Sequence, residues 1–172
     1  MMISKKLNDT FNAQVGNEFG ASMQYLQIAA HFDAMSLSNF ASFFFLQAQE
    51  ENEHAMKLLH YVLETGSPLQ IPAIPQQKAT FASAEEAVTA ALGWEKEVTR
   101  QIYNLMDIAV EEKDYISQRF LDWFISEQLE EVSTMENLLN LVKLAGEKNL
   151  LMLDNRVMSL RGPAAGAPAA GE

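Results

Sequence analysis

The feature that most constrains the fold of this chain is a charged interruption in an otherwise apolar helical face. Residues 47–58 (QAQEENEHAMKL) contain no glycine, proline or run of β-branched side chains, which favours an α-helix. An ionised carboxylate in a core costs several kcal/mol unless it is paired or bound to a metal, so this face requires partners from elsewhere in the chain. Steps of three and four residues define the face as Phe40, Phe44, Gln47, Glu51, His54, Leu58 and Tyr61.

Three further helices are predicted to repeat this pattern of an apolar stripe with polar residues near its middle. The first covers residues 4–33, and the third begins after a capping box formed by Ser83 and Glu86 and ends near residues 111–114. The fourth follows directly and ends at Gly146. The interrupting residues are Glu18 in the first helix, Glu95 in the third, and Gln128 and Glu131 in the fourth.

The remaining segments fix the order of the helices and the domain boundary. The second helix is predicted from Ser38, as its N-cap, to Thr65, with a stop at Gly66. Residues 67–82 include three prolines within eight residues, which excludes a helix and is typical of a long crossover between two parallel helices. A short fifth helix is predicted over residues 148–160. Residues 161–172 are rich in Ala, Gly and Pro and are predicted to be a disordered tail, which leaves one domain at residues 1–160.

Composition and charge restrict the partners of the chain. The net charge is −11, which disfavours nucleic acid and suits cations. Cysteine is absent from the sequence, so thiolate metal ligands are excluded. The N-terminus lacks the apolar run of a signal peptide, and no apolar segment approaches the ~20 residues of a membrane span. We therefore expect a cytoplasmic protein with no membrane partner.

The four interrupted stripes together indicate a metal site. Carboxylates at similar depths in one core would repel each other strongly without a cation. An oxygen-rich donor set with one imidazole and no sulfur suits iron or manganese better than structural zinc. Helical bundles that bind iron pairs use one Glu from each of two helices and a Glu-x-x-His motif from each of the other two. This chain departs from that pattern only in its fourth helix, where Gln128 and Glu131 occupy the motif.

The chain resembles the non-haem bacterial ferritins over residues 1–160, including the actinobacterial type with an Ala/Gly/Pro-rich tail. The resemblance implies an all-α, ferritin-like four-helix bundle with a long crossover between the second and third helices and a short fifth C-terminal helix. It also implies a hollow shell of twenty-four subunits and a ferroxidase that oxidises Fe(II) with O₂ or H₂O₂ and stores a ferric mineral. The motifs are residues 17–19 (NEF), Ala21, Ser22, Tyr25, residues 49–54 (QEENEH) and residues 123–131 (WFISEQLEE).

The resemblance also implies roles for individual residues. A first iron would bind Glu18, Glu51 and His54, and a second would share Glu51 and be completed by Glu95 and Glu131, with Gln128 beside it. Tyr25 and Trp123 are implied to supply an extra electron, although Trp123 is equally compatible with simple packing. A third nearby iron site would use Glu50, Glu127 and Glu130 with Glu131 shared; the alternative is that Glu50, Glu127 and Glu130 form a solvated acidic face.

Departures from related families bear on cofactors and partners. Asn52 stands where haem-containing bacterioferritins carry their axial methionine, so no haem is expected. The tail could address an encapsulating shell, although a plain extension is favoured. Three other classes of protein are alternatives. The first is a small DNA-protecting shell, which the acidic charge disfavours. The others are a substrate-oxidising di-iron enzyme and a purely structural bundle, which would not need four core carboxylates.

Overall fold

The computed structural model describes residues 2–161 and shows four long α-helices followed by a short fifth helix. No strand occurs in these residues, so the predicted all-α architecture with a short fifth helix is confirmed. Across the same range, none of the helices has the combination of length and hydropathy needed to cross a membrane. The helices are α1 (Lys5–Ala34), α2 (Ser38–Glu64), α3 (Ala84–Glu111), α4 (Tyr115–Ala145) and α5 (Leu150–Val157), with 3₁₀ turns at Glu147–Asn149 and Met158–Leu160.

The predicted C-terminal tail is described only at its first residue. Residues 162–172 lie outside the described residues, so the prediction of a disordered tail and of its partner stays a prediction. Arg161 is described, and its guanidinium contacts α2. The fifth helix is therefore followed by at least one residue that packs against the bundle.

Local side-chain caps begin α1, α3 and α4, whereas α2 and α5 begin without one. The side chain of Ser4 accepts a hydrogen bond from the Leu7 amide at 3.0 Å, and Ser83 does the same for the Glu86 amide. Gly66 has a φ of +68°, in the left-handed region that its predicted role as a helix stop requires.

At the start of α2, the prediction of Ser38 as N-cap is wrong. Ser38 is the first helical residue, and Leu37 precedes it without a side-chain cap. The carboxylate of Asp154, on α5, accepts hydrogen bonds from the amides of Asn39 at 3.1 Å and Phe40 at 2.9 Å. Because this cap comes from a distant part of the chain, α5 and α2 stabilise each other.

Replacing Asp154 with alanine is expected to lower the free energy of unfolding by about 1–2 kcal/mol, because two amides at the start of α2 lose their acceptor. The measurement is thermal unfolding at fixed protein concentration. Asn155→Ala is the matched control, since Asn155 is the exposed neighbour of Asp154 on the same helix. Equal unfolding temperatures for the two variants would contradict this role of Asp154.

The crossover between α2 and α3 lies along α1. The carbonyl of Pro68 accepts hydrogen bonds from the side-chain amides of Asn8 and Asn12, at 3.1 and 3.0 Å. Ten residues later, the amide of Lys78 donates to Gln24 at 3.1 Å. The contacts thus advance along α1 in the direction of the chain. The crossover returns to the end of the bundle where α2 begins, so α2 and α3 run parallel, as predicted.

The bundle core consists of two apolar clusters with a polar layer between them. One cluster is built around Phe32, Phe40 and Phe44, in which the rings of Phe32 and Phe40 stack at 4.6 Å. The other is built around Phe11 and Leu58. On each long helix, the polar stripe residues lie between residues of one apolar cluster and residues of the other. Close packing on both sides therefore fixes the position of the polar layer.

Candidate metal centre

The polar layer brings together one or two titratable side chains from each of the four long helices. Each of these side chains belongs to a residue no more than 5% exposed, and apolar side chains pack on either side of the layer along the bundle. Every one of them occupies the middle of a predicted stripe. The residues are Glu18 of α1, Glu51 and His54 of α2, Glu95 of α3 and Glu131 of α4.

These side chains form two adjacent groups that share Glu51. One ligand atom from each of Glu18, Glu51 and His54 lies within 4.8 Å of the others, and the same holds for Glu51, Glu95 and Glu131. This arrangement suits two neighbouring cations bridged by one carboxylate. It brings together the residues that the resemblance assigns to the first and second iron sites.

Side chains that are not themselves candidate ligands orient three of the carboxylates. Gln14 donates to an oxygen of Glu18 at 2.9 Å, and Gln47 donates to an oxygen of Glu131 at 2.7 Å. The Tyr25 hydroxyl donates to Glu95. Such outer hydrogen bonds fix ligand rotamers and leave the opposite oxygen free for a metal.

Several buried oxygens in the layer indicate that a cation fits there. Among residues 2–161, one oxygen of Glu18, one of Glu95 and both of Glu51 are buried without a hydrogen-bond partner. Buried polar atoms in folded proteins are nearly always satisfied, so unpaired carboxylate oxygens facing one another are typical of a cation site. The hard oxygen donors and single imidazole suit iron.

Burial and mutual repulsion shift the protonation of the carboxylates when no metal is bound. Burial raises the pKa of Glu18 and that of Glu95 to about 7. Burial, followed by the negative charge of Glu95, raises the pKa of Glu51 and of Glu131 well above the usual range. Protons therefore neutralise the metal-free site, and cations must displace them.

His54 is held in the neutral form that a metal ligand needs. Burial, followed by the positive charge of Lys57, lowers its pKa to about 4. Its Nδ1 atom lies 3.4 Å from an oxygen of Glu51, and its ring meets that of Trp123 edge-on at 5.3 Å. The ammonium of Lys57 lies 3.7 Å from the centre of the Trp123 ring, so Trp123 is packed between two polar groups.

The predicted third iron site is brought together only in part. Glu127 is half-buried and forms a group with His54 and Glu131 whose ligand atoms lie within 4.8 Å of one another. Within residues 2–161, Glu50 and Glu130 belong to no such group: Glu130 is exposed, and Glu50 pairs with Arg161. The assignment of a cation to Glu50 and Glu130 stays a prediction.

Gln128 was predicted from the sequence as a site residue, whereas two glutamines that hydrogen-bond to candidate ligands were not. Gln128 is buried and accepts a hydrogen bond from the Thr99 hydroxyl at 2.8 Å, so it lies within the layer. Gln14 and Gln47 were missed as site residues, although each precedes a ligand glutamate by four residues on the same stripe. That spacing could have identified Gln14, whose partner is the glutamate four residues later, but not the partner of Gln47, because Glu131 lies on another helix.

Replacing Tyr25 with phenylalanine is expected to weaken binding of Zn²⁺ about tenfold, because Glu95 loses a hydrogen bond that lowers its pKa. The measurement is isothermal titration calorimetry, with Zn²⁺ as a cation that does not change oxidation state. Tyr103→Phe is the control, since Tyr103 is exposed on α3. Identical affinities in the two variants would show that the hydroxyl does not support the ligand.

A bundle of four long helices whose core holds two adjacent groups of candidate metal ligands sharing one glutamate is typical of ferritin-like proteins. Residues 8–145 match the family described as the ferritin-like domain. The chain belongs to this ferritin family.

Bacterial and archaeal ferritins are among the proteins to which the chain is similar. The chain is 37% identical over 161 residues to the bacterial non-heme ferritin of Staphylococcus aureus (strain USA300), covering 93% of this chain and 97% of that protein. The identity and coverage are the same for the bacterial non-heme ferritin of Staphylococcus haemolyticus (strain JCSC1435). An open pore ferritin from the archaeon Archaeoglobus fulgidus has a TM-score of 0.88 and 32% identity, covering 94% of this chain and 99% of the other.

Proposed function

We propose that this protein stores iron by oxidising Fe(II) at the paired carboxylate centre and keeping the ferric product as a mineral inside a protein shell. The observation that carries the proposal is the pair of bridged cation positions, with carboxylate oxygens that have no other partner in the described chain. The similarity to proteins named bacterial non-heme ferritins supports it. We also propose that the protein acts in the cytoplasm, without haem.

In the proposed reaction, two Fe(II) ions are the substrate. Glu18 and His54 hold one ion, Glu95 and Glu131 hold the other, and Glu51 bridges them. Each Fe(II) gives up one electron, and O₂ takes both electrons with two protons to form H₂O₂; peroxide is the alternative oxidant. Hard anionic oxygens bind Fe(III) more tightly than Fe(II), so the carboxylates favour the oxidised product.

Tyr25 is proposed to support this reaction directly. Its side chain is fully buried, and its hydroxyl donates to Glu95. Burial, followed by the charges of Glu95 and Glu51, raises the pKa of Tyr25 well above its usual value, so the phenol keeps its proton. It can therefore hold Glu95 and lies close enough to the metal positions to supply a further electron.

A shell of twenty-four subunits is the proposed assembly. The surface of α2 exposes Phe45, Leu46, Met56 and Leu63, and large apolar side chains grouped on one helix favour contact with other subunits. Analytical ultracentrifugation at micromolar concentration tests this part. A monomer would contradict the shell while leaving the metal centre in place.

The test of the proposed function is oxidation of Fe(II) in air by the purified metal-free protein. We expect rapid growth of the absorbance of ferric products, followed by a brown particle that stays in solution and sediments as a large assembly. Buffer alone is the first control, because Fe(II) oxidises slowly by itself and precipitates. Oxidation no faster than in buffer would overturn the proposal.

A further inference from the structure

Arg161 occupies a polar recess on the surface of α2, beside the metal centre. One guanidinium nitrogen donates to the side-chain oxygen of Gln47 at 2.6 Å and to the carbonyl of Phe43 at 3.4 Å. The other terminal nitrogen donates to Glu50. The guanidinium also lies 5.5 Å from the centre of the Phe43 ring, and the side chain of Arg161 is only 16% exposed. These contacts hold the residue that follows the last 3₁₀ turn against α2.

The same contacts connect Arg161 to a candidate metal ligand. Gln47 uses its side-chain oxygen to accept from Arg161 and its side-chain nitrogen to donate to Glu131 at 2.7 Å. An arginine cannot accept a hydrogen bond, so Arg161 fixes which end of the Gln47 amide points at Glu131. Arg161 is therefore two hydrogen bonds away from the paired centre.

A cavity of about 390 Å³ is lined by Arg161 and Glu50. Its walls combine three acidic groups with one arginine and one lysine, and the candidate ligand His54 lies in the same wall. Glu50 and Glu127 both line the cavity, but in the described chain Glu50 is already neutralised by Arg161. A charge-assisted, partly buried contact of this kind is strong enough to compete with an incoming cation.

We propose that the Arg161 guanidinium takes the cation position beside the Glu50 carboxylate, and that it must be displaced before a divalent cation can bind to Glu50. The third cation position is then closed by the chain's own C-terminal segment, and Arg161 acts as a positioning residue for Gln47 while it remains in place. This inference rests on the proposed function in taking the neighbouring paired centre as a metal site, and on the predicted third iron site in taking Glu50 as one of its ligands. Exchange between the guanidinium and a divalent cation breaks the hydrogen bonds of Arg161 but no covalent bond.

The test is titration of the assembled, metal-free full-length protein with Zn²⁺, followed by isothermal titration calorimetry. Wild type is expected to bind two Zn²⁺ per subunit tightly, with any third ion bound weakly. Arg161→Gln is expected to bind the third Zn²⁺ roughly tenfold more tightly, because Glu50 is no longer paired. Arg161→Lys, which keeps the charge but not the forked contact, is expected to fall between the two.

Two control variants make the result specific. Arg156→Gln removes one positive charge from the same C-terminal segment, but Arg156 is exposed on α5, and binding should match wild type. Glu50→Gln, combined with Arg161→Gln, should abolish the gain. If Arg161→Gln does not assemble, Arg161→Lys and Glu50→Gln in the wild-type background still test the prediction, since the first should strengthen the third ion and the second should weaken it.

Trp123 supplies a second readout, because it lines the cavity. In a Trp94→Phe background whose paired centre has first been filled with Zn²⁺, Co²⁺ binding at the third position should quench Trp123 fluorescence at lower Co²⁺ concentration when Arg161 is replaced. Unchanged third-ion affinity and unchanged quenching in Arg161→Gln would overturn the role of Arg161 and leave the paired centre intact. Failure of wild type to bind two Zn²⁺ would instead overturn the proposed function.

Discussion

Glu51→Gln is expected to slow oxidation of Fe(II) by about 10²-fold or more and, at the same time, to make the metal-free protein more stable. Glu51 is the shared member of both cation groups, and neither of its oxygens has a hydrogen-bond partner in residues 2–161. Glutamine keeps the shape of the side chain but cannot supply an anionic bridge. Both metal positions should therefore lose affinity together.

The gain in stability follows from the same burial. The pKa of Glu51 is raised well above its usual value by burial and by the charges of Glu95 and Glu18. The unfolded chain ionises this group at neutral pH, whereas the folded metal-free chain must keep it protonated, and that difference opposes folding. A neutral amide removes the difference, so we expect the free energy of unfolding to rise by about 1–3 kcal/mol.

The measurements are stopped-flow oxidation of Fe(II) and thermal unfolding of the metal-free protein. Glu64→Gln is the matched control, because it removes one carboxylate from an exposed position at the end of α2. It should leave both quantities unchanged. Oxidation by Glu51→Gln at the wild-type rate would show that the bridge is not needed, and a lower unfolding temperature would show that Glu51 has a partner that stabilises it.

The main architecture could be predicted because the patterns that specify it lie within single segments of the sequence. Apolar residues at steps of three and four define each long helix, and the prolines of the crossover define the parallel pair. The candidate ligands were predictable for the same reason, since a carboxylate in the middle of each stripe must lie at the same depth as the others. Glu18, Glu51, Glu95 and Glu131 are brought together in this way.

Contacts between distant parts of the chain were not predictable. Ser38 has the composition of an N-cap, but the cap comes from Asp154, 115 residues away from Asn39. Arg161 opens a segment whose Ala/Gly/Pro composition indicates disorder, and nothing in that composition shows that one guanidinium lies against Gln47 and Glu50. Local propensity does not encode such pairings.

The affinity of the paired centre for Zn²⁺ is expected to rise steeply with pH between pH 5.5 and pH 7 and to go on rising above pH 7, because burial and the charge of Glu95 raise the pKa of Glu51 and of Glu131 well above the usual range. Burial raises the pKa of Glu18 and of Glu95 to about 7, so each carries a proton below that pH when no metal is bound. A cation needs both groups ionised, and binding therefore releases protons. Glu18 and Glu95 alone account for two of the released protons, so below pH 7 the affinity should increase by at least about 100-fold per pH unit.

The stability of the metal-free protein should show the opposite dependence on pH. A carboxyl whose pKa is about 7 in the folded protein and 4.5 in the unfolded chain stabilises the fold fully below pH 4.5 and loses that contribution as pH rises to 7. Zn²⁺ should therefore raise the unfolding temperature little at pH 5.5 and strongly at pH 8, where saturation at about 1,000 times Kd contributes roughly 4 kcal/mol.

Calorimetry in buffers of different ionisation enthalpy counts the released protons, and Glu18→Gln should release one fewer. An affinity that is the same at pH 5.5 and pH 7 would contradict this prediction. It would mean that protons on Glu18 and Glu95 do not neutralise the buried charge of the metal-free site, and that another group does.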